Sequence, residues 1–456
     1  MPERHIAIAG GGASGLLLAH ALLRAGARVT IVEPRATLGA GLAYSTTCPL
    51  HLLNAPAGRM SAFAADPEHF LRWLAAHGEP TEATAFVSRS RYGAYLTSIA
   101  DEARLLGGDR FGHRRSRVID AASGPDAVRI RTSAGETIDA DALVVAIGNA
   151  KPARWSLVPD DVRSSAAFFD SAWDDDATTT AAPDDTVVLL GTGLTAVDAV
   201  LGLRHNGHRG PIVMVSRRGL LPHEHRQLDR PAAGSPLATS LGEVIASVRR
   251  SRSSNESDWR TIIDGLRREI NDRWEALDLT EQRRFVRHVL PYWNVHRHRM
   301  APEAAKAVAL LLADGTLRMI AGRTQTLEEI AGGVRVPIAV RGRDETIVVD
   351  ANRVINCSGP EHDVCARTNP LLRSLLASGA MVPNPLRIGA RIASDGALIG
   401  AAGTPSARLF ALGPVRYGTL IETTAIPEIR EQVDQLAERL LRVPAVGAVP
   451  LGEPER

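Results

Sequence analysis

The residues with the clearest chemistry stand at the start of the chain. Gly10-Gly-Gly12-Ala-Ser-Gly15 follows the apolar run His5–Ala9 and precedes a helically spaced apolar stretch, 16–23. Gly10 permits a tight turn out of a strand, Gly12 lets a pyrophosphate approach the backbone, and Gly15 lets helix and strand pack closely. The helix start then offers unpaired N–H groups to phosphate. A second apolar run, 29–32, ends in Glu33, whose carboxylate can accept hydrogen bonds from ribose hydroxyls. Strand, turn, helix and acid stand in the order and spacing of a dinucleotide site.

The pattern recurs. Residues 186–190 lead into Gly191-Thr-Gly193-Leu-Thr-Ala196, an apolar helical stretch from Val197 and an apolar run at 211–215. Alanine is tolerated at the third glycine position. Here the second run ends in Ser216-Arg217-Arg218 rather than in an acid. A guanidinium grips a 2′-phosphate that a carboxylate would repel, so this copy is expected to take NADPH. The alternative is two exposed arginines on a loop of an arginine-rich chain.

Each copy continues alike. Residues 116–148 alternate apolar and polar side chains, turn at Ser123-Gly-Pro and Ala134-Gly-Glu, and end in an apolar strand that stops at Gly148. Residues 317–359 repeat that texture and stop at Gly359. Another apolar strand stops at Gly413, followed by Glu422-Thr-Thr424-Ala425-Ile-Pro and an amphipathic helix to about Leu441, whose N-terminus can hold negative charge. Residues 67–77 read as a short helix with Asp66 as its N-cap, and 91–105 as another. The Ser-, Asp- and Thr-rich 154–185 reads as the crossover between domains. The fold class is α/β: two Rossmann-like units, each with a three-stranded β-meander, plus a helical insert at about 224–310. The boundaries are 1–155 with 361–456 for one unit and 184–360 for the other.

Two stretches carry alternative readings. The Gly- and Pro-rich segment 39–61 is either a buried connector or the lining of a cofactor ring through Asn54 and Arg59. The charged insert is either a structural helix or a cover over the cofactors, with Arg297 or Arg299 meeting phosphate or an anionic substrate. His296 and His298 stand two apart, on different helix faces, so no metal is expected.

Composition excludes several classes. Hydrophobic residues make up 45% and charged residues 23%, and the net charge is +2. That balance implies no strong attraction to nucleic acid or anionic lipid. Cys48, Cys357 and Cys365 are isolated, with no C-x-x-C pair, which argues against a disulfide framework, structural zinc or a disulfide reductase. Cys48 reads as a packed small residue. No run of about 18 apolar residues is present, and a cytoplasmic, membrane-free protein is expected.

Three blocks, GLAYSTTCPLHLLNAPAGRMS at 41–61, FVSRSRYGAYL at 86–96 and LFALGPVRYG with ETTAIPEIREQ at the end, resemble the FAD–NAD(P)-binding family that includes an FAD-dependent urate hydroxylase. The wider resemblance is to class B-like flavin monooxygenases with two dinucleotide-binding domains. It implies FAD contacts at Gly10, Gly12, Ser14, Gly15, Glu33, Asn54, Met60, Val118, Gly148, Gly413, Thr424 and Ala425. For NADPH it implies Gly191, Gly193, Thr195, Arg217 and Arg218. The implied activity is hydroxylation at N or C of a small polar substrate with O2, through a C4a-hydroperoxyflavin. Tyr44, Asn54, Arg297, Arg416 and Tyr417 are candidates for the substrate pocket, with ordinary packing as the alternative for each. An NADPH-linked flavin reductase or dehydrogenase and a non-catalytic flavin-binding protein are the competing classes.

Overall fold

The computed structural model describes residues 3–174, 176–226 and 259–443. Two open sheets organise it. The first runs Ala397–Ile399, Pro405–Ala411, Ala142–Val145, His5–Ala9, Arg28–Val32, Phe111–Arg114, and every neighbouring pair but the outermost 397–411 hairpin is parallel. Parallel strands covered on both faces need apolar residues at every position. His5–Ala9 meets that demand: Ile6, Ala7 and Ile8 are fully buried. One face carries the helices Ala13–Arg24, Arg89–Gly107 and Ile426–Leu441. The other is covered by the three-stranded sheet of Val118–Ser123, Val128–Thr132 and Thr137–Ala140, with the helix Pro370–Ala377.

The second sheet repeats the plan with one economy. Phe168–Phe169, Arg353–Asn356, Val187–Leu190, Ile212–Ser216 and Leu317–Thr324 run parallel. The eight-residue strand Leu317–Thr324 pairs with Ile212–Ser216 through its first half and with Gly333–Val340, antiparallel, through its second. It therefore does in one strand what Phe111–Arg114 and Val118–Ser123 do in two. The helices Leu194–His205 and Pro302–Ala313 cover one face.

Three expectations are corrected. The helix near residue 67 is His69–Ala76 with Glu68 at its N-cap position and no capping side chain. Asp66 instead pairs with Arg72, one turn into that helix, because an exposed guanidinium outbids a backbone N–H for the carboxylate. The stretch 154–185 is more than a crossover: it holds the helix Asp160–Ser164 and the strand Phe168–Phe169, which joins the second sheet beside Arg353–Asn356. Two residues are too few to show a strand period, so only the neighbouring strand could reveal it. The second helix begins earlier than 91, at Arg89, where Ser88 Oγ accepts from Arg91 N at 3.3 Å.

The insert consists, among the described residues, of the helices Trp259–Ala276, Leu279–Arg284, Leu290–Arg297 and Pro302–Ala313, with a π-helical turn at Phe285–Val289. Residues 227–258 of the expected insert lie outside the described residues.

Candidate functional site

The two glycine turns build equivalent helix starts. Gly10 has φ +107°, and a Cβ there would lie 2.4 Å from Ala146 O; at Gly15 it would lie 2.0 Å from Gly10 O. Gly191, at φ +137°, would meet Cys357 O at 2.4 Å. These glycines are dictated by backbone packing. Gly12 and Gly193 differ. A Cβ on Gly12 would touch only Gly41 Cα, at 3.7 Å, and one on Gly193 would touch nothing within 4 Å. Both cap 12-residue helices without a side-chain hydrogen bond. Open space over an uncapped helix start is what a pyrophosphate needs.

Glu33 is buried and braced: its two carboxylate oxygens accept from Gly11 N at 3.0 Å and Arg35 N at 3.1 Å. It therefore shapes the glycine turn and still has lone pairs to offer. In the second copy Arg217 is exposed and meets no partner among the described residues. Arg218 is half-buried, lies over the Tyr292 ring at 5.9 Å, and donates from Nη2 to Arg287 O at 2.9 Å in the π-helical turn. Thr195 is half-buried in the first turn of the helix Leu194–His205.

The chain end returns to the first glycine turn. Gly413 has φ +70°, and a Cβ there would lie 2.5 Å from Ser14 Oγ. Gly413 N donates to Gln432 Oε1 at 3.1 Å, while Thr423 Oγ1 donates to Gly413 O at 2.8 Å. Thr424 is exposed and Ala425 caps the helix Ile426–Leu441 with no side-chain bond. Gly148, at φ +71°, has open space where a Cβ would be. Val118 starts the meander from a buried position, and Met60 is buried behind the short turn Ala57–Arg59.

The segment 39–61 is a clamp between the two units. His51 Nε2 donates to Asp198 O at 2.9 Å, with Thr46 Oγ1 2.7 Å from the other ring nitrogen. Arg89 pairs with the Asp198 carboxylate at 2.8 Å and donates to Leu52 O at 3.0 Å. Asp198 belongs to the helix that Gly193 starts, so the second phosphate-type site is tied directly to the first unit. Only a shallow dent, lined by Leu53, Asn54, Arg89, Leu194 and Met300 among others, lies at this joint. Cys48 is buried, which pushes its thiol pKa up.

The insert docks on the chain end through ionic contacts. Glu422, 2% exposed, accepts from Trp293 Nε1 at 2.9 Å and pairs with Arg297 at 3.0 Å. Burial alone would raise its pKa, but Arg297, His298 and Arg267 outweigh that and hold it below the ordinary value. His298 is half-buried and desolvated, with its pKa lowered to about 4; His225, whose Nε2 donates to Asn54 O at 3.1 Å, is lowered to about 4 by burial too. Tyr44 is half-buried against Tyr92, ring centres 4.8 Å apart, and burial raises its phenol to about 12. Arg416 is 3% exposed and donates to Ser394 O at 2.7 Å, and Tyr417 stacks on His362 at 4.2 Å.

The structure thus brings Gly12, Ser14, Glu33, Gly413 and Thr424 to one end of the first sheet, and Gly193 and Arg217 to the matching end of the second. Sequence reasoning missed Arg89, Asp198, Glu422 and Gln432 as organisers. Glu422 carried a signal, since it opens the ETTAIPE block; the others are ordinary polar residues until their partners are known.

Residues 7–150 match the sequence model of a family described as FAD-NAD(P)-binding. No curated protein matches the chain. Among solved structures, the fold is similar to the reduced form of ornithine hydroxylase from Pseudomonas aeruginosa (TM-score 0.66, 16% identity, covering 96% of this chain and 99% of that one). It is similar also to an ornithine N-hydroxylase from Kutzneria sp. 744 with reduced FAD, NADP+ and L-ornithine (0.65, 14%, 97% and 99%). A third likeness is to the FAD-bound cadaverine monooxygenase of desferrioxamine biosynthesis from Erwinia amylovora (0.65, 12%, 100% and 99%). The chain has the two-dinucleotide-domain fold of these proteins along its whole length.

Proposed function

We propose that this chain is an FAD- and NADPH-dependent monooxygenase that hydroxylates a small polar substrate at nitrogen or carbon. The observation that carries the reading is the pairing of two open, uncapped glycine turns, one backed by the carboxylate of Glu33 and one flanked by the exposed guanidinium of Arg217, which meets no partner among the described residues. The residues fit the two cofactors. Glu33 would hold the FAD ribose, the start of the helix Ala13–Arg24 its pyrophosphate, and the start of Ile426–Leu441, with Thr424 and Ala425, the pyrimidine edge of its ring. Gly193 and Thr195 would hold the NADPH pyrophosphate, and Arg217 its 2′-phosphate. Residues 1–155 with 361–456 would form the FAD unit, and 184–360 the NADPH unit.

FAD and NADPH, when bound, would supply the redox chemistry of a monooxygenase, in which NADPH is the two-electron donor, one atom of O2 enters the substrate and the other leaves as water. The chain supplies position. The Arg89–Asp198 pair fixes one unit against the other, and Arg297 and Trp293 latch the insert to Glu422 at the chain end. The likeness of the fold to two ornithine hydroxylases and a cadaverine monooxygenase supports this reaction class.

The test is anaerobic stopped-flow absorbance of the FAD-loaded protein mixed with NADPH and then with oxygenated buffer. The visible flavin band should bleach, and a near-ultraviolet band should persist before reoxidation, with hydroxylated product once substrate is present. A bleach followed by immediate reoxidation, and no hydroxylated product from any substrate, would assign a reductase. Failure of NADPH to bleach the flavin would remove the redox reading altogether.

A further inference from the structure

The seam between the loop 54–61 and the insert is crowded with guanidinium groups. Three carboxylates stand there, and each pairs with an arginine, although Glu428 Oε2 accepts no hydrogen bond among the described residues. Asp264 pairs with Arg299 at 2.5 Å, Glu428 with Arg267 at 2.5 Å, and Glu422 with Arg297 at 3.0 Å. Arg59 is left over. It ends the short turn Ala57–Arg59, is solvent-accessible, and meets no acceptor among the described residues. Arg268 is also exposed and unmet among the described residues.

The position of Arg59 is not left to chance. The backbone on either side is held, by His225 Nε2 on Asn54 O at 3.1 Å and by Arg430 Nη1 on Ser61 O at 3.1 Å. Burial pulls Arg59 below the ordinary arginine pKa although its side chain stays exposed. The charges of Arg267, Arg268 and Arg299 push the same way, against Asp264. Like charges gathered at one seam raise the potential there and attract an anion. A guanidinium offers that anion a two-pronged set of donors.

We propose that Arg59, aided by Arg268, is the recognition site for an anionic group of the substrate. The substrate is then a small molecule bearing a carboxylate or similar oxyanion, and a simple diamine is excluded. This rests on the reading that the seam beside the flavin receives the substrate. A dication such as cadaverine, the substrate named for one structural neighbour, would meet net repulsion here.

The experiment titrates FAD-loaded, oxidised protein at low ionic strength with succinate and with 1,4-diaminobutane, two four-carbon probes of opposite charge. The readout is the difference spectrum of the bound flavin, so no turnover is required and a failure of NADPH reduction leaves the result interpretable. Succinate should give a saturable change and the diamine none. Arg59→Gln should weaken succinate by about tenfold with unchanged FAD content, and Arg59→Lys should restore part of it. A missing succinate response, saturable diamine binding, or an Arg59→Gln variant equal to the parent would overturn the proposal. A titration with NADP+ separates the two sources of anion. If NADP+ abolishes the succinate response and Arg59→Gln weakens NADP+ itself, the anion is the cofactor's phosphate and the substrate assignment falls.

Discussion

Glu33 and Arg217 show how one position after a strand divides two similar units. Glu33 accepts from Gly11 N and Arg35 N, so it braces the turn it also serves. Glu33→Ala removes both roles. FAD affinity should fall about tenfold to a hundredfold, from loss of a charge-assisted contact of about 1.5–3 kcal/mol, and the check is the visible absorbance retained after gel filtration. In the second unit the two arginines are not equivalent. Arg218 is engaged with Arg287 O and Tyr292, whereas Arg217 meets no partner among the described residues. Arg217→Ala alone should therefore raise KM for NADPH about tenfold or more and leave KM for NADH nearly unchanged. Equal effects on both coenzymes would remove the 2′-phosphate role.

At the scale of elements, the helix Leu194–His205 is the joint. Its Gly193 end offers N–H groups to a ligand, and one turn later Asp198 ties it to Arg89 and, through its carbonyl, to His51. Both side chains of the ion pair are only about one-tenth exposed, at 13% and 11%. Removing one partner strands the other charge. Asp198→Ala should cost about 3 kcal/mol in chemical denaturation. Flavin reduction by NADPH should slow as well, because the two units lose their fixed spacing, while FAD content should stay intact. Unchanged reduction kinetics would show that the pair is structural only.

For the whole molecule, the seams between insert, loop and chain end contribute to the response to pH, alongside His20 and His362, whose pKa values burial also lowers to about 4. His225 and His298 have folded pKa values of about 4, below their ordinary 6.5. Both are neutral in folded and unfolded chains above 6.5. As pH falls from about 6.5 toward 4 the unfolded chain takes up protons that the folded one refuses, so stability is lost across that window. Glu422, held below its ordinary 4.5, adds a further loss as pH drops below that value. The urea midpoint should therefore decline from pH 6.5 to 4, and His298→Gln should flatten the decline. A midpoint independent of pH across this range would mean that the insert does not dock as described.

The sequence by itself determined the repeated unit, because its signals are local. A strand, a glycine turn and a helix within about thirty residues fix one another through backbone geometry, and Gly10, Gly15 and Gly191 stand where any Cβ would strike a main-chain atom. The acid at Glu33 and the bases at Arg217 and Arg218 were legible for the same reason. What the sequence could not carry were contacts between residues far apart in the chain. Phe168–Phe169 became a strand only through Arg353–Asn356, Gln432 an anchor only through Gly413, and Asp198 a joint only through Arg89. The same holds for Arg59: its type was visible from the start, but only folding showed that the carboxylates near it among the described residues are paired with other arginines. Local spacing encodes backbone shape, whereas the balance of charge at a seam is a sum over elements that meet only in the tertiary structure.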